Sequence, residues 1–194
     1  AGGPVIWLTA GKEIAFFYFD FMGGQQTPLI VRYNLETGDT EPVEDCCAPL
    51  LAAPDGNRLL VYTSSNGSFG IGWLNLDTGL VSEELSLLRE TPREHQYVDF
   101  SLSPDGESLL MGDADGQVFT YQVGSGAAPT LILSPATDPS WSPDGRKIAY
   151  IGFGSASAVQ FGQFGQVMIA EANGVSAQPL FSDSQPGGMR SPAW

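Results

Sequence analysis

Apolar residues along this chain fall in short runs punctuated by Gly, Pro, Asn and Asp, and the runs return at similar places in successive segments. Ile14-Ala15-Phe16, Leu59-Leu60-Val61, Leu109-Leu110-Met111 and Ile148-Ala149-Tyr150 each begin three residues after a glycine, at Gly11, Gly56, Gly106 and Gly145. From Gly11 to Gly56 is 45 residues, from Gly56 to Gly106 is 50, and from Gly106 to Gly145 is 39. Four residues before each glycine stands another apolar residue: Trp7, Ala52, Leu102 and Trp141. Short runs bounded by turn residues predict strands, and a period of this size predicts a repeat architecture.

The turns are Ala53-Pro54-Asp55-Gly56, Ser103-Pro104-Asp105-Gly106 and Ser142-Pro143-Asp144-Gly145, with Thr9-Ala10-Gly11 as a worn first copy. Proline presets φ, aspartate bonds the nearby backbone and glycine accepts positive φ, so each copy reverses direction into its apolar strand. A third strand is announced by Asn34-Leu35-Glu36-Thr37-Gly38 and its near-duplicate Asn75-Leu76-Asp77-Thr78-Gly79. In the third copy Leu109 to Met111 and Val118 to Tyr121 flank Asp115-Gly116, and in the fourth Gln166 to Ala170 precede Asn173-Gly174. Leu131 to Leu133 and Leu85 to Leu88 are expected to close their units as outer strands. Four short strands in each unit is the arithmetic of a propeller blade. The expected organisation is one all-β domain over 1–194, with repeats at about 5–50, 51–98, 99–138 and 139–190.

Trp141-Ser142-Pro143-Asp144-Gly145-Arg146-Lys147-Ile148-Ala149-Tyr150 resembles the TolB-like, or "PD", type of WD-like propeller repeat, and the weaker copies extend the likeness along the chain. The resemblance implies a β-propeller of four blade-like repeats, an envelope location and protein ligands; it specifies fold more strongly than function. Residues 191–194, Ser-Pro-Ala-Trp, repeat the approach to Trp141 and read as the start of a further repeat or as a closing strand. Both a small four-bladed ring and part of a larger, partner-completed propeller remain open, because each blade needs neighbours to bury its faces.

Charge narrows the partners. A formal net charge of −14 repels a phosphate backbone, and no basic cluster offsets it, which argues against nucleic acid. No apolar run reaches the length of a bilayer span, and the first residues carry no signal-peptide pattern, so an exported form is expected to have lost its signal.

Candidate chemistry is sparse. His95 is the one histidine, it lies in a polar stretch, and no Gly-x-Ser-x-Gly elbow accompanies it. One histidine and the neighbouring Cys46 and Cys47 do not make a zinc set; those two thiols are read as free or as a vicinal disulfide. Asp113-Ala114-Asp115-Gly116 opens like a calcium loop but lacks the later ligands, which favours a hairpin turn. Gly152-Phe153-Gly154-Ser155 lacks the lysine of a phosphate loop. No catalytic residue, cofactor or metal is predicted.

Surface contact is what remains. A long insertion, Gly152 to Gly165, presents Phe153, Phe161 and Phe164 among glycines and small polar residues, and a shorter one, Asp20 to Thr27, presents Phe21 and Met22. These five residues are the candidate partner contacts, with folding back onto the blade as the competing outcome. The expected function is a non-catalytic binding module in an extracytoplasmic assembly. The rivals are the gating propeller of a prolyl-oligopeptidase-like hydrolase whose catalytic domain lies elsewhere, and a small-molecule or sugar binder using a central channel.

Overall fold

Every strand that follows a glycine turn pairs with the strand before it, and in all four copies the pairing has one register. In the computed structural model Trp7 lies opposite Ile14, Ala52 opposite Leu59, Leu102 opposite Leu109 and Trp141 opposite Ile148. The structure describes residues 5–8, 11–20, 27–44, 48–65, 68–86, 97–155, 159 and 165–180.

Residues 1–92 form one compact unit and residues 93–194 a second. The first unit holds β1 (Val5–Trp7), β2 (Glu13–Asp20), β3 (Thr27–Asn34) and β4 (Thr40–Glu44) as one antiparallel sheet in sequential order. Its second sheet is β5 (Ala48–Ala52), β6 (Arg58–Ser65), β7 (Ser68–Asn75) and β8 (Val81–Ser86), again in order. The second unit repeats the plan with β9 (Tyr97–Leu102), β10 (Ser108–Asp113), β11 (Val118–Gln122) and β12 (Thr130–Leu133). Its last sheet is β13 (Ala136–Trp141), β14 (Lys147–Gly152), β15 (Gln166–Glu171) and β16 (Gln178–Pro179). The architecture is all-β with four blade-like sheets, as the repeats predict.

Two details differ from the sequence reading. Strands β5, β9 and β13 straddle the boundaries drawn at 50/51, 98/99 and 138/139, because the strand before each turn starts earlier and pairs from there, Ala48 with Tyr62, Tyr97 with Asp113 and Ala136 with Gly152. Strand β8 begins at Val81, ahead of the expected Leu85, because the turn closing at Gly79 delivers the chain at once into register, Val81 opposite Leu74.

Alternation decides which residues fill each core. In the first unit Leu8, Ala15 and Ile30 of the first sheet meet Leu59, Val61, Leu74 and Leu76 of the second. In the second unit Leu110, Val118 and Leu133 meet Ala136, Ile148, Tyr150 and Ala170. The earlier sheet offers the residue four after its glycine, and the later sheet offers those three and five after. The period of two along a strand makes this division automatic.

Asparagine and aspartate close the chain reversals at one end of each sheet. Asp105 accepts the hydroxyl of Ser103 and, at 3.0 Å, the N–H of Glu107; Asp144 accepts the Ser142 hydroxyl at 2.7 Å and the Arg146 N–H at 3.1 Å. The hydroxyl bond from serine, followed by the backbone N–H, holds both carboxyls below the usual aspartate range. The second copy has Ala53 where the third and fourth have serine, and there Arg58 supplies the second donor, its Nε 2.7 Å from Asp55. Burial pushes Asp55 up, yet the Asn57 N–H and Arg58 outweigh it and the carboxyl ends low. Gly56, Gly106 and Gly145 have φ of 71°, 76° and 68°, the left-handed region that glycine enters without Cβ strain. Asn34 and Asn75 do the same work in the β3–β4 and β7–β8 turns, each accepting the N–H groups two and three residues on.

Candidate binding end

At the opposite end of each sheet the second-to-third strand connections differ in length. Two residues separate β6 from β7, four separate β10 from β11, six separate β2 from β3, and thirteen, 153–165, separate β14 from β15. The connections at the other end span only five to seven residues, and the end where a repeated scaffold varies most is where contact with other molecules concentrates. In the second unit this end has describable geometry.

Asp113 caps the short β10–β11 turn: its Oδ1 accepts the N–H of Asp115 at 3.0 Å and of Gln117 at 2.8 Å. The carboxylate-rich run is therefore a hairpin turn, with its key oxygen aimed at its own backbone. Asp113 is 2% exposed. It faces Tyr97 across the β9–β10 pairing, and burial together with the Asp113 charge pushes the Tyr97 hydroxyl up to about 12. The Tyr97 ring meets Phe119 edge-on, with centroids 5.5 Å apart.

Val159, within the long insertion, lies over this turn. A Cβ placed on Gly116, whose φ is 79°, would fall 2.8 Å from Cγ2 of Val159. Phe153, at the start of the insertion, is half-buried and donates its N–H to the Pro135 carbonyl at 3.1 Å. Phe21, Met22, Phe161, Phe164, Cys46 and Cys47 lie outside the described residues, as does His95.

Sequence reasoning missed a pair of carboxyls on the first strands. Asp99 of β9 lies beside Asp138 of β13, and the two first strands pack side by side, with Gly112 enclosed between Asp99 and Pro139. Burial raises the Asp99 carboxyl, and the Asp138 charge raises it further against the N–H that Asp138 donates. Asp138 has φ of 52°, unusual for a residue with a side chain, and accepts the Thr137 hydroxyl at 3.0 Å. The pairing spans two repeats, and the one local hint was Asp138-Pro139 before the tryptophan. Among the described residues no cluster of three metal-ligating side chains forms.

No protein-family model and no curated protein sequence matches the chain. Solved structures do. TolB from Acinetobacter baumannii superposes with a TM-score of 0.67 at 23% identity, over 97% of this chain and 45% of that one. The fold is the TolB-like β-propeller repeat. A putative TolB from Agrobacterium tumefaciens aligns with a TM-score of 0.64 at 18% identity, over 94% of this chain and 62% of its own. The β-propeller domain of the trilobed protease from Pyrococcus furiosus aligns at 0.59 with 14% identity, over 94% and 57%. The chain thus spans less than two thirds of each of these propeller proteins, and identities this low carry the fold and no activity.

Proposed function

We propose that the chain is a non-catalytic propeller module that binds a protein partner in an extracytoplasmic assembly through the variable-loop end of its sheets. The observation that supports this most is the contact of Val159, in the β14–β15 insertion, with Gly116. Val159, which belongs to a long, uncharged, aromatic-bearing stretch of sequence, seats on Gly116 of the adjacent sheet of its unit. Anchoring lowers the ordering cost that a free loop meets on binding. The buried Asp113 carboxyl and the half-buried Asp99 carboxyl accept backbone N–H groups, which suits a scaffold better than acid–base work.

The test is native mass spectrometry of the protein from its source, compared with a variant whose residues 153–165 are replaced by a short Gly-Gly link. A bound subunit that disappears with the insertion supports the reading. A subunit retained by the variant, or a chain that carries no subunit, overturns it. Fractionation of the source cells checks the extracytoplasmic location.

A second reading is favoured by the likeness to the trilobed protease propeller: a domain that gates a hydrolase. A Gly-x-Ser-x-Gly elbow elsewhere in the same polypeptide, with loss of peptide-size selectivity on deleting these repeats, would establish it.

A further inference from the structure

Each sheet ends in a strand whose outer side pairs with no other strand among the described residues: β4, β8, β12 and β16. Such an edge presents N–H and C=O groups that a further extended chain can bond. Three of the four are blunted. Pro42 sits within β4, opposite Val31, and an edge proline turns its missing N–H to the open side. The β15–β16 turn lies against β12, so that a Cβ placed on Gly174 would fall 2.6 Å from the Ile132 carbonyl oxygen. Strand β16 is two residues long. Strand β8, by contrast, runs six residues without proline, and β7 is the described strand it packs on. Its register sets Val81 opposite Leu74, Ser82 opposite Trp73 and Glu83 opposite Gly72, after which a bulge places Glu84 ahead of Leu85. Val81 and Glu83 therefore share one face of the strand, and Ser82 takes the other. Leu80 is 72% exposed and Val81 37%, and Ser82 and Glu83 are exposed as well. Charge beside this strand is one-sided. The described cations of the first unit are committed elsewhere: Lys12 to Glu36, Arg32 to Glu13 and Asp77, and Arg58 to Asp55.

We propose that the open edge of β8 is a second docking surface, taken by an extended basic segment of a partner protein that pairs with β8 as an added strand. Backbone pairing supplies the attachment and the exposed side chains supply the choice. Val81 and Glu83 on one face ask for a basic residue two positions from an apolar one, each opposite its complement. A bulge and carboxylates are devices that keep sheet edges from pairing with their own kind, and a second copy would bring the same charges to the same place. A chain of net charge −14 thus rejects its own copy at this edge while admitting a cationic strand. The surface belongs to the first unit, and it stands whether or not the variable-loop end of the second unit binds anything.

The test titrates the whole protein into a fluorescein-labelled peptide of alternating lysine and valine, read by anisotropy, with hydrogen exchange followed on the bound protein. The expected result is saturable binding that slows exchange in β8 and weakens as salt rises. In Glu83→Lys, whose exposed side chain leaves the fold intact, affinity is expected to fall about tenfold, because attraction at one carboxylate becomes repulsion. Glu83→Gln is expected to fall between that variant and the parent. The same peptide with every amide N-methylated keeps its charge but cannot add a strand, and it is expected not to bind. Equal binding by the methylated peptide means attraction by charge alone and overturns the proposal. Unchanged affinity in Glu83→Lys, absence of binding, or protection that leaves β8 exchanging freely also overturns it. So does β8 exchange that slows with protein concentration in the absence of peptide, which means a second copy holds the edge. The variant with residues 153–165 replaced is expected to bind the peptide as the parent does; loss there assigns the peptide to the loop end and overturns the proposal.

Discussion

The hydroxyl oxygen of Ser101 accepts the backbone N–H of Trp141 at 3.1 Å, tying the first strand of the third sheet to the first strand of the fourth. A bond of this kind, half-buried and between sheets, fixes how one blade sits on the next within the unit. Ser101→Ala removes the acceptor and leaves an enclosed N–H. The expected loss is about 1 kcal/mol in urea unfolding, since an unmade bond at a buried donor costs about 1–3 kcal/mol and this site is half open.

Arg32 makes two ion pairs of different quality in the first unit. Its Nε and one terminal nitrogen lie 2.9 and 2.7 Å from a single Glu13 oxygen, while the other terminal nitrogen is 3.5 Å from the exposed Asp77. The Glu13 bond, ahead of the opposing effect of burial, holds the guanidinium pKa above its ordinary value. Double-mutant cycles are expected to give a coupling of about 1 kcal/mol for Arg32 with Glu13 and below about 0.5 kcal/mol with Asp77, the second vanishing at high salt. Equal couplings would contradict this ranking.

Gly116 and Gly124 share a left-handed backbone, φ of 79° and 74°, but differ in the space beside it: Val159 crowds a Cβ placed on the first, and a Cβ placed on the second meets no non-neighbouring atom within 4 Å. Alanine at either position is expected to cost about 1 kcal/mol of backbone strain. Gly116→Ala adds the displacement of Val159, for a total of about 2 kcal/mol or more. Pairing it with Val159→Ala recovers the excess, whereas Gly124→Ala gains nothing from that second change. Thermal melts of the four variants check the seating of the insertion.

Protonation of Asp99 has the opposite sign to that of the turn aspartates. Asp105 and Asp144 are held low when folded, so the stability they contribute is present above the unfolded aspartate pKa and is lost as pH falls through their folded values. Asp99 is held high, so ionising it opposes folding, and this opposition is relieved as pH falls through its folded value. Asp99→Asn keeps an acceptor for the Asp138 N–H and removes the charge. It is expected to raise stability at neutral pH and to make the acid loss steeper, measured as urea midpoints from neutral to mildly acidic pH.

The hairpins were legible because their causes are local. Pro-Asp-Gly sets its own turn, Asn34 and Asn75 bind the next residues, and alternation then decides which side of each strand is buried. Erosion of the first copy did not hide it, since Trp7 and Ile14 kept their spacing around Gly11. Asp99 beside Asp138, and Val159 over Gly116, were not legible: each joins different blades, and strand packing alone sets such contacts. Substitution of Ala53 for the turn serine likewise gave no warning that Arg58 would take over its role.

The turns closed by Asn34, Asp55, Asn75, Asp105 and Asp144 have a practical consequence. Each sheet carries its alignment in self-contained reversals at one end, so the connections at the other end can change length at a small, slowly growing entropic penalty. The β6–β7 connection is therefore a graft point: a foreign peptide spliced there should be displayed without disturbing strand pairing, making the repeat a reusable chassis for engineered recognition.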